Sequence, residues 1–362
     1  MVFGIGGVLA ALVWAFVRVG PQTSTDVPSD VARALAWPNP GLDELQSYNR
    51  TSPLGPLLFQ LLPTQSPASY LALHAAALLV ALALIALWVF LAVPDAQRFR
   101  GARLVILGPV VASAFVSIGN YDPFTLLGVA ALLYAWRFGR RVALVAAGIL
   151  LGFQHFEQGF IAVVAMAIIV VALGRSLPPT LQGRCQPIWA LIGVVGGKVL
   201  LSLVFLMQGI DPFEGRSAYI TDLTILREAL TTSVNHFPTL LMSMFAGLWV
   251  VMALVFFRQD RITSQLLILL ALVGPFLVAV STLAQTRVFV MVTLPLLAIV
   301  IAVALNDRVL TSTPAVILAA EAAAWLLVPQ HLYVSPGAGA QIMDTNALDY
   351  VIMLVNQLTG LS

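Results

Sequence analysis

The sequence predicts an all-α polytopic membrane protein with about nine to eleven transmembrane or re-entrant helices and a long first extracytoplasmic loop. Three observations carry that prediction. Sixty percent of the 362 residues are hydrophobic and only nine percent are charged, and the mean hydropathy is +0.97, far above that of soluble globular chains. Apolar runs recur at roughly the 17 to 25 residues that cross a hydrocarbon core of about 30 Å. Arginines collect in alternate loops, the signature of cytoplasmic segments.

The first apolar run, 2–19, has no positive segment before it and no small-residue cleavage site after it, so it reads as an uncleaved span. Further runs lie near 69–93, 104–119, 123–136, 142–153, 159–174, 187–207, 238–257, 263–283, 288–305 and 312–329. They leave no room for a separate soluble domain, so 1–362 reads as one integral membrane domain. Its polar parts are a first outer loop over 20–68, a second over 208–237, and a tail over 330–362 with an amphipathic stretch at 346–358. Eight prolines in the first loop forbid a sheet or a long helix there. Short surface helices fit, one at 30–37 capped by Asp30 and one at 54–62.

If the first span starts in the cytoplasm, the inside loops at 98–103, 137–141, 175–184 and 258–261, with Arg308, hold eleven of the 18 basic residues. Carboxylates show the opposite bias. The arginine pattern requires 142–173 to enter and leave on one side, because 137–141 and 175–184 would otherwise face opposite ways. Val142 to Phe153 is too short to span, and Gln154-His155-Phe156-Glu157-Gln158-Gly159 interrupts the apolar run. A broken or re-entrant helix pair follows, with its interruption lining a cavity, since irregular backbone at membrane depth needs protein or water around it.

The net charge of +2 comes from scattered arginines, which leaves no electrostatic footprint for nucleic acid. A single cysteine, Cys185, excludes an intramolecular disulfide and a cysteine-based metal cluster. Chemistry must therefore come from other groups. Asp43-Glu44 in the first loop, followed by Tyr48 and Arg50, reads either as a solvated charge pair or as a general base beside a membrane cavity. Asp122, in Gly119-Asn120-Tyr121-Asp122-Pro123-Phe124, reads as a helix N-cap, as a functional carboxylate, or as both. His155 and Glu157 fall at the helix break, where an ionisable residue is costly and faces the protein interior. Arg287 opens a span, where its guanidinium either clamps a lipid phosphate or snorkels to the interface. Lys198 and Glu321 sit in apolar runs, placed to pair across the bundle in a structural role.

A family resemblance gathers several of these residues. The first span, the long loop with Asp43-Glu44 and Tyr48, and Pro53-Leu54-Gly55-Pro56-Leu57-Leu58-Phe59-Gln60-Leu61-Leu62-Pro63 resemble the opening of GT-C superfamily glycosyltransferases. The stretch from Gly119 to Phe124, the arginines at 137–141 and Ala147-Gly148-Ile149-Leu150-Leu151-Gly152-Phe153 are similar to the middle of polyprenyl-phosphate-dependent members, such as bacterial mannosyl- and arabinosyltransferases. Thr286-Arg287-Val288-Phe289 before Leu294-Pro295 looks like a later element. One departure is His155-Phe156-Glu157 where relatives commonly carry a lysine.

The resemblance implies an inverting transfer of sugar from a polyprenyl-phosphate donor to an extracytoplasmic glycan or lipid acceptor; the arginine bias and the single lysine, Lys198, point to the outer face of a bacterial plasma membrane. It casts Asp43 as the base. Glu44, Asp122 and Glu157 would orient the acceptor, Tyr48 and Arg50 would contact substrate, and Arg287 with His155 would stabilise the phosphate leaving group. The acidic motif does not distinguish a base from a ligand, so a divalent metal stays open as a cofactor. The alternatives are a secondary transporter or lipid flippase with a path through His155, Glu157, Lys198 and Glu321, and a non-catalytic assembly subunit.

Overall fold

The computed structural model describes residues 2–19, 27–38, 51–115, 118–182, 186–212, 223–282, 284–327, 331–335 and 339–343. Asp43, Glu44, Tyr48 and Arg50 lie outside them, as does the expected amphipathic stretch at 346–358. The described helices are α1 (Val2–Val19), α2 (Val27–Ala36), α3 (Leu54–Gln60), α4 (Pro67–Ala92), α5 (Arg98–Ile106), α6 (Pro109–Phe115), α7 (Asp122–Phe138), α8 (Arg141–Leu173) and α9 (Pro187–Met207). After the second polar region come α10 (Leu223–Asn235), α11 (Phe237–Phe245), α12 (Trp249–Phe257), α13 (Ile262–Val280), α14 (Gln285–Asn306), α15 (Arg308–Ser312) and α16 (Pro314–Leu326).

Among the described residues, six helical segments are long and apolar enough to cross a membrane: α4, α8, α9, α11 with α12, α13 and α14. The protein is thus a polytopic helical membrane protein. The tail adds a feature that its composition did not announce, an antiparallel pair of strands β1 (His331–Ser335) and β2 (Gly339–Met343).

The central helix is α14. It is apolar on every side, and a helix of that kind is stable only when surrounded; α4 to α8 and α11 to α13 all pack on it. Beside it, α4 and α7 run in the same direction. Tyr70 Oη donates to the Gly119 carbonyl (2.7 Å) at one end, and Trp88 Nε1 donates to the Leu133 carbonyl (2.8 Å) toward the other. Buried tyrosine and tryptophan need such partners, and here the partners set the register of two helices.

The helix α8 folds back on itself. Its 33 residues are helical except His155, whose φ of −161° and ψ of 89° break the run. A Cβ placed on Gly159 would lie 3.0 Å from the Cβ of Leu151. In a straight helix eight residues advance about 12 Å, so the two halves form a tight hairpin. The expected pair of half-length helices is therefore present, with the break confined to His155. Its first half runs parallel to α9 in contact close enough to exclude any side chain. A Cβ on Gly148 or Gly152 would collide with the carbonyls of Ala190 or Val194, and one on Gly193 or Gly197 with those of Val145 or Ile149. Each helix thus presents a Gly-x-x-x-Gly face to the other. Because Gly152 lies level with Val194, the hairpin tip stands about halfway along α9, roughly 15 Å from its start.

Both ends of the hairpin reach the arginine-rich end of the bundle. Arg141 Nε donates to Gln186 Oε1 (3.1 Å), and Ser176 Oγ meets Gln259 Oε1 (3.3 Å) beside Arg258. Two expectations need correction. Asp30 does not cap its helix: α2 begins at Val27, because Pro28 in a first turn sacrifices no hydrogen bond, and Asp30 pairs with Arg33 one turn on. Glu321 pairs with Arg100 (2.9 Å) and Arg103 (2.6 Å) instead of Lys198. The packing of α16 beside α5 brings those arginines nearer.

Candidate functional site

Three chain segments meet at the hairpin tip, toward the end of the bundle away from most arginines. They are the turn before α7, the break in α8 and the first turn of α14. Gly119 opens the turn with a φ of 102°, a conformation that suits glycine. Tyr121 is the N-cap residue of α7 and Asp122 its first helical residue, so the capping role expected for Asp122 is not the one it has. Its side chain is fully buried, and neither carboxylate oxygen accepts a hydrogen bond among the described residues. What faces it is Arg287, with Nε 3.5 Å from Oδ2. That is longer than a charge-assisted hydrogen bond of about 2.7–2.9 Å.

Arg287 also donates through Nη2 to Tyr121 Oη (3.0 Å), and its guanidinium carbon lies 5.2 Å from the centre of the Tyr121 ring. The same ring lies 4.9 Å from that of His155, tilted by 45°. His155 Nδ1 is 3.6 Å from Glu157 Oε2, an ion pair whenever the imidazole is protonated. Asp122, Arg287, His155 and Glu157, from three separate parts of the sequence, therefore form one cluster. Tyr121 joins them. Nothing in the sequence around this tyrosine marks it for a role, since its ring contacts come from segments far along the chain.

Gln154 ties the first outer loop to this cluster. It is fully buried; Nε2 donates to the Tyr121 carbonyl (3.1 Å) and Oε1 accepts from the backbone N–H of Leu54 (3.0 Å). Thr51 and Ser52, just before α3, are buried as well. Gly55 packs against His74 and Phe124, with 3.2 Å from a would-be Cβ to His74 Nε2 and 3.0 Å to the phenylalanine ring. His74 itself is buried, with Nδ1 2.9 Å from the Tyr70 carbonyl. The available signal for Gln154 and His74 was polarity inside apolar helices. What each one contacts has no local signature.

The first turn of α14 is pinned by its own polar contacts. Gln285 Nε2 donates to the Ala229 carbonyl (2.9 Å) and to Ser233 Oγ (2.5 Å), and the hydroxyls of Thr286 and Ser243 are 2.7 Å apart. These bonds hold the backbone from which Arg287 projects. The described part of the second polar region thus supports the cluster from behind. Among the described residues no group of three or more His, Cys, Asp or Glu side chains is placed to hold a metal ion.

Chemically, the cluster offers a buried carboxylate, a guanidinium that is not hydrogen-bonded to it, and an imidazole beside a second carboxylate. Such a set can receive a hydroxyl-bearing group and an anion side by side. Comparison with family models, curated proteins and solved structures finds no match for the chain.

Proposed function

We propose that this protein is an inverting glycosyltransferase that moves a sugar from a polyprenyl-phosphate donor to an extracytoplasmic glycan or lipid acceptor. The observation that carries the reading is the meeting of Arg287, Asp122, His155 and Glu157 at a helix break that also seats the first outer loop through Gln154 and Leu54. The arginine bias supports a cytoplasmic placement of the far end of the bundle, which would put the cluster in the outer half of a bacterial plasma membrane. A lipid-linked donor reaches such a site by lateral diffusion, whereas nucleotide sugars stay on the other side.

In this reading the acceptor oxygen attacks the anomeric carbon as the bond from that carbon to the phosphate oxygen breaks. The bonding electrons leave with the polyprenyl phosphate, and the acceptor proton passes to Asp43. Arg287 turns from Asp122 toward the phosphate, aided by His155, and Asp122 is left to accept a hydrogen bond from the acceptor or the sugar. Glu44, Tyr48, Arg50 and Glu157 complete the positioning. The transporter alternative is weakened by Glu321, which is engaged by Arg100 and Arg103 in a separate ion cluster.

The test is sugar transfer by the purified protein in lipid from a panel of polyprenyl-phosphate sugars. Asp43→Asn should reduce transfer about 10² to 10⁴-fold, the usual range for loss of a general base. Arg287→Ala should weaken donor use more than Arg287→Lys, since lysine keeps the charge and loses the planar fork. A wild-type protein that transfers no sugar from any donor in the panel would sink the proposal; full transfer by Asp43→Asn would move the base elsewhere, with Asp122 next in line.

A further inference from the structure

At the opposite end of the bundle, four loops line a half-open cavity of about 770 Å³ between the ends of α4, α8, α12 and α14. That volume lies in the range of small-molecule sites, about 300–1,000 Å³. It is distinct from the cluster at Arg287, because the 22 residues of α14 separate the two by roughly 30 Å. Three arginines line it, Arg175, Arg258 and Arg308, against one carboxylate, Asp307.

Asp307 is already committed. Its Oδ1 accepts from the backbone N–H groups of Val309 and Leu310, and its Oδ2 lies 3.2 Å from Arg258 Nε. Arg175 and Arg308 have no acidic partner among the described residues. The walls are held in shape by side chains bonded to backbone. Asn306 Nδ2 donates to the carbonyls of Ala92 and Ala302, Gln259 to that of Val255, and Gln182 to that of Leu177. The space is therefore built into the fold and keeps an excess of guanidinium groups. Offsetting the helix C-termini that end here is the other task open to these arginines.

We propose that this cavity is a second ligand site, selective for a phosphate-bearing group of net negative charge, independent of the transferase reading. Guanidinium pairs phosphate in bidentate fashion, and basic pockets between membrane helices are where anionic head groups lodge. The phosphate belongs either to a phospholipid of the adjacent leaflet or to a soluble phosphate compound.

Two binding measurements on the purified full chain in neutral detergent distinguish those sources. Native mass spectrometry after equilibration with equal phosphatidylglycerol and phosphatidylcholine reads the lipid arm, and calorimetric titration with inorganic pyrophosphate reads the soluble arm. In whichever arm binds, Arg175→Gln with Arg308→Gln should weaken affinity about tenfold or more. Ala96→Trp, at an exposed position on the cavity wall, should abolish it while keeping every arginine. Arg140→Gln with Arg261→Gln, at the same end but outside the cavity, should leave it unchanged. Absence of binding in both arms overturns the proposal. So does equal weakening by the Arg140 and Arg261 pair, or full binding by Ala96→Trp, either of which leaves the arginines as complements to helix ends.

Discussion

Arg287 Nε stands 3.5 Å from Asp122 Oδ2, with the aspartate completely buried and the arginine side chain 11% exposed. Both residues occupy first turns of helices, Asp122 on α7 and Arg287 on α14. A carboxylate is favoured at that position and a guanidinium is disfavoured, because a helix N-terminus carries roughly half a positive charge. Arg287 thus sits where its own helix opposes it and depends on a negative partner. Among the described residues that partner is Asp122.

Asp122→Asn and Arg287→Gln should each lower the melting temperature in detergent, and the double variant should lose less than the sum. Removing one member of a buried pair strands the other, so a coupling of about 1–3 kcal/mol is expected from the thermodynamic cycle. Strict additivity of the two effects would mean that the observed proximity has no energetic content.

Glu321→Gln should destabilise the protein by about 3 kcal/mol, since Arg100 and Arg103 both donate to this carboxylate within the bundle. Transfer per folded molecule should stay at the wild-type level. A selective loss of activity with unchanged stability would assign Glu321 to function and revive the transporter path.

Glycine substitutions on the two packed helices should divide by contact. Gly152→Ala and Gly197→Ala force a methyl group into a neighbouring carbonyl and should lower yield and melting temperature sharply. Gly196→Ala meets only Ile149 Cγ1 at 3.8 Å, and should be neutral or stabilising by up to about 1 kcal/mol through helix propensity. The check is a thermal melt of the three variants side by side.

Gln154→Leu removes one hydrogen bond to the Leu54 N–H and one to the Tyr121 carbonyl, both in a partly buried setting. Each stranded group costs about 1–3 kcal/mol, which the loop can avoid by lifting away. Limited proteolysis between Thr51 and Gln60 should then become faster than in wild type, while cleavage at the arginine-rich end stays constant. Unchanged protection of this segment would show that its burial does not depend on Gln154.

Orientation is open to direct labelling. In a Cys185→Ser background, a membrane-impermeant thiol reagent applied outside intact cells should modify Leu61→Cys and spare Gln97→Cys. The reverse pattern would put the cluster on the cytoplasmic side and remove the argument for a lipid-linked donor.

Membership in the helical membrane class was determined by composition alone. Lipid rewards apolar side chains wherever they fall along a span, and a helix satisfies its own backbone, so length and hydropathy suffice to find α4, α9, α13 and α14. The break in α8 was legible too, because a polar run inside a half-length apolar segment has few places to go. The members of the cluster were legible one by one: His155 and Glu157 as costly groups at a helix break, Asp122 as a turn carboxylate and Arg287 as the opening of a span. The family resemblance assigned all four to one substrate site, but their contacts, and the linking roles of Tyr121 and Gln154, arose from packing. The hairpin places His155 beside Tyr121, and the position of α14 at the centre of the bundle delivers Arg287 to Asp122. Glu321 illustrates the same division, since its position demanded a cationic partner and only the contact of α16 with α5 selected Arg100 and Arg103 over Lys198. Burial and helicity are properties of a residue and its near neighbours along the chain, so the sequence by itself determined them. Pairing depends on the relative placement of helices far apart in sequence, and glycine faces such as Gly148–Gly152 against Gly193–Gly197 settle that placement only once the helices have met.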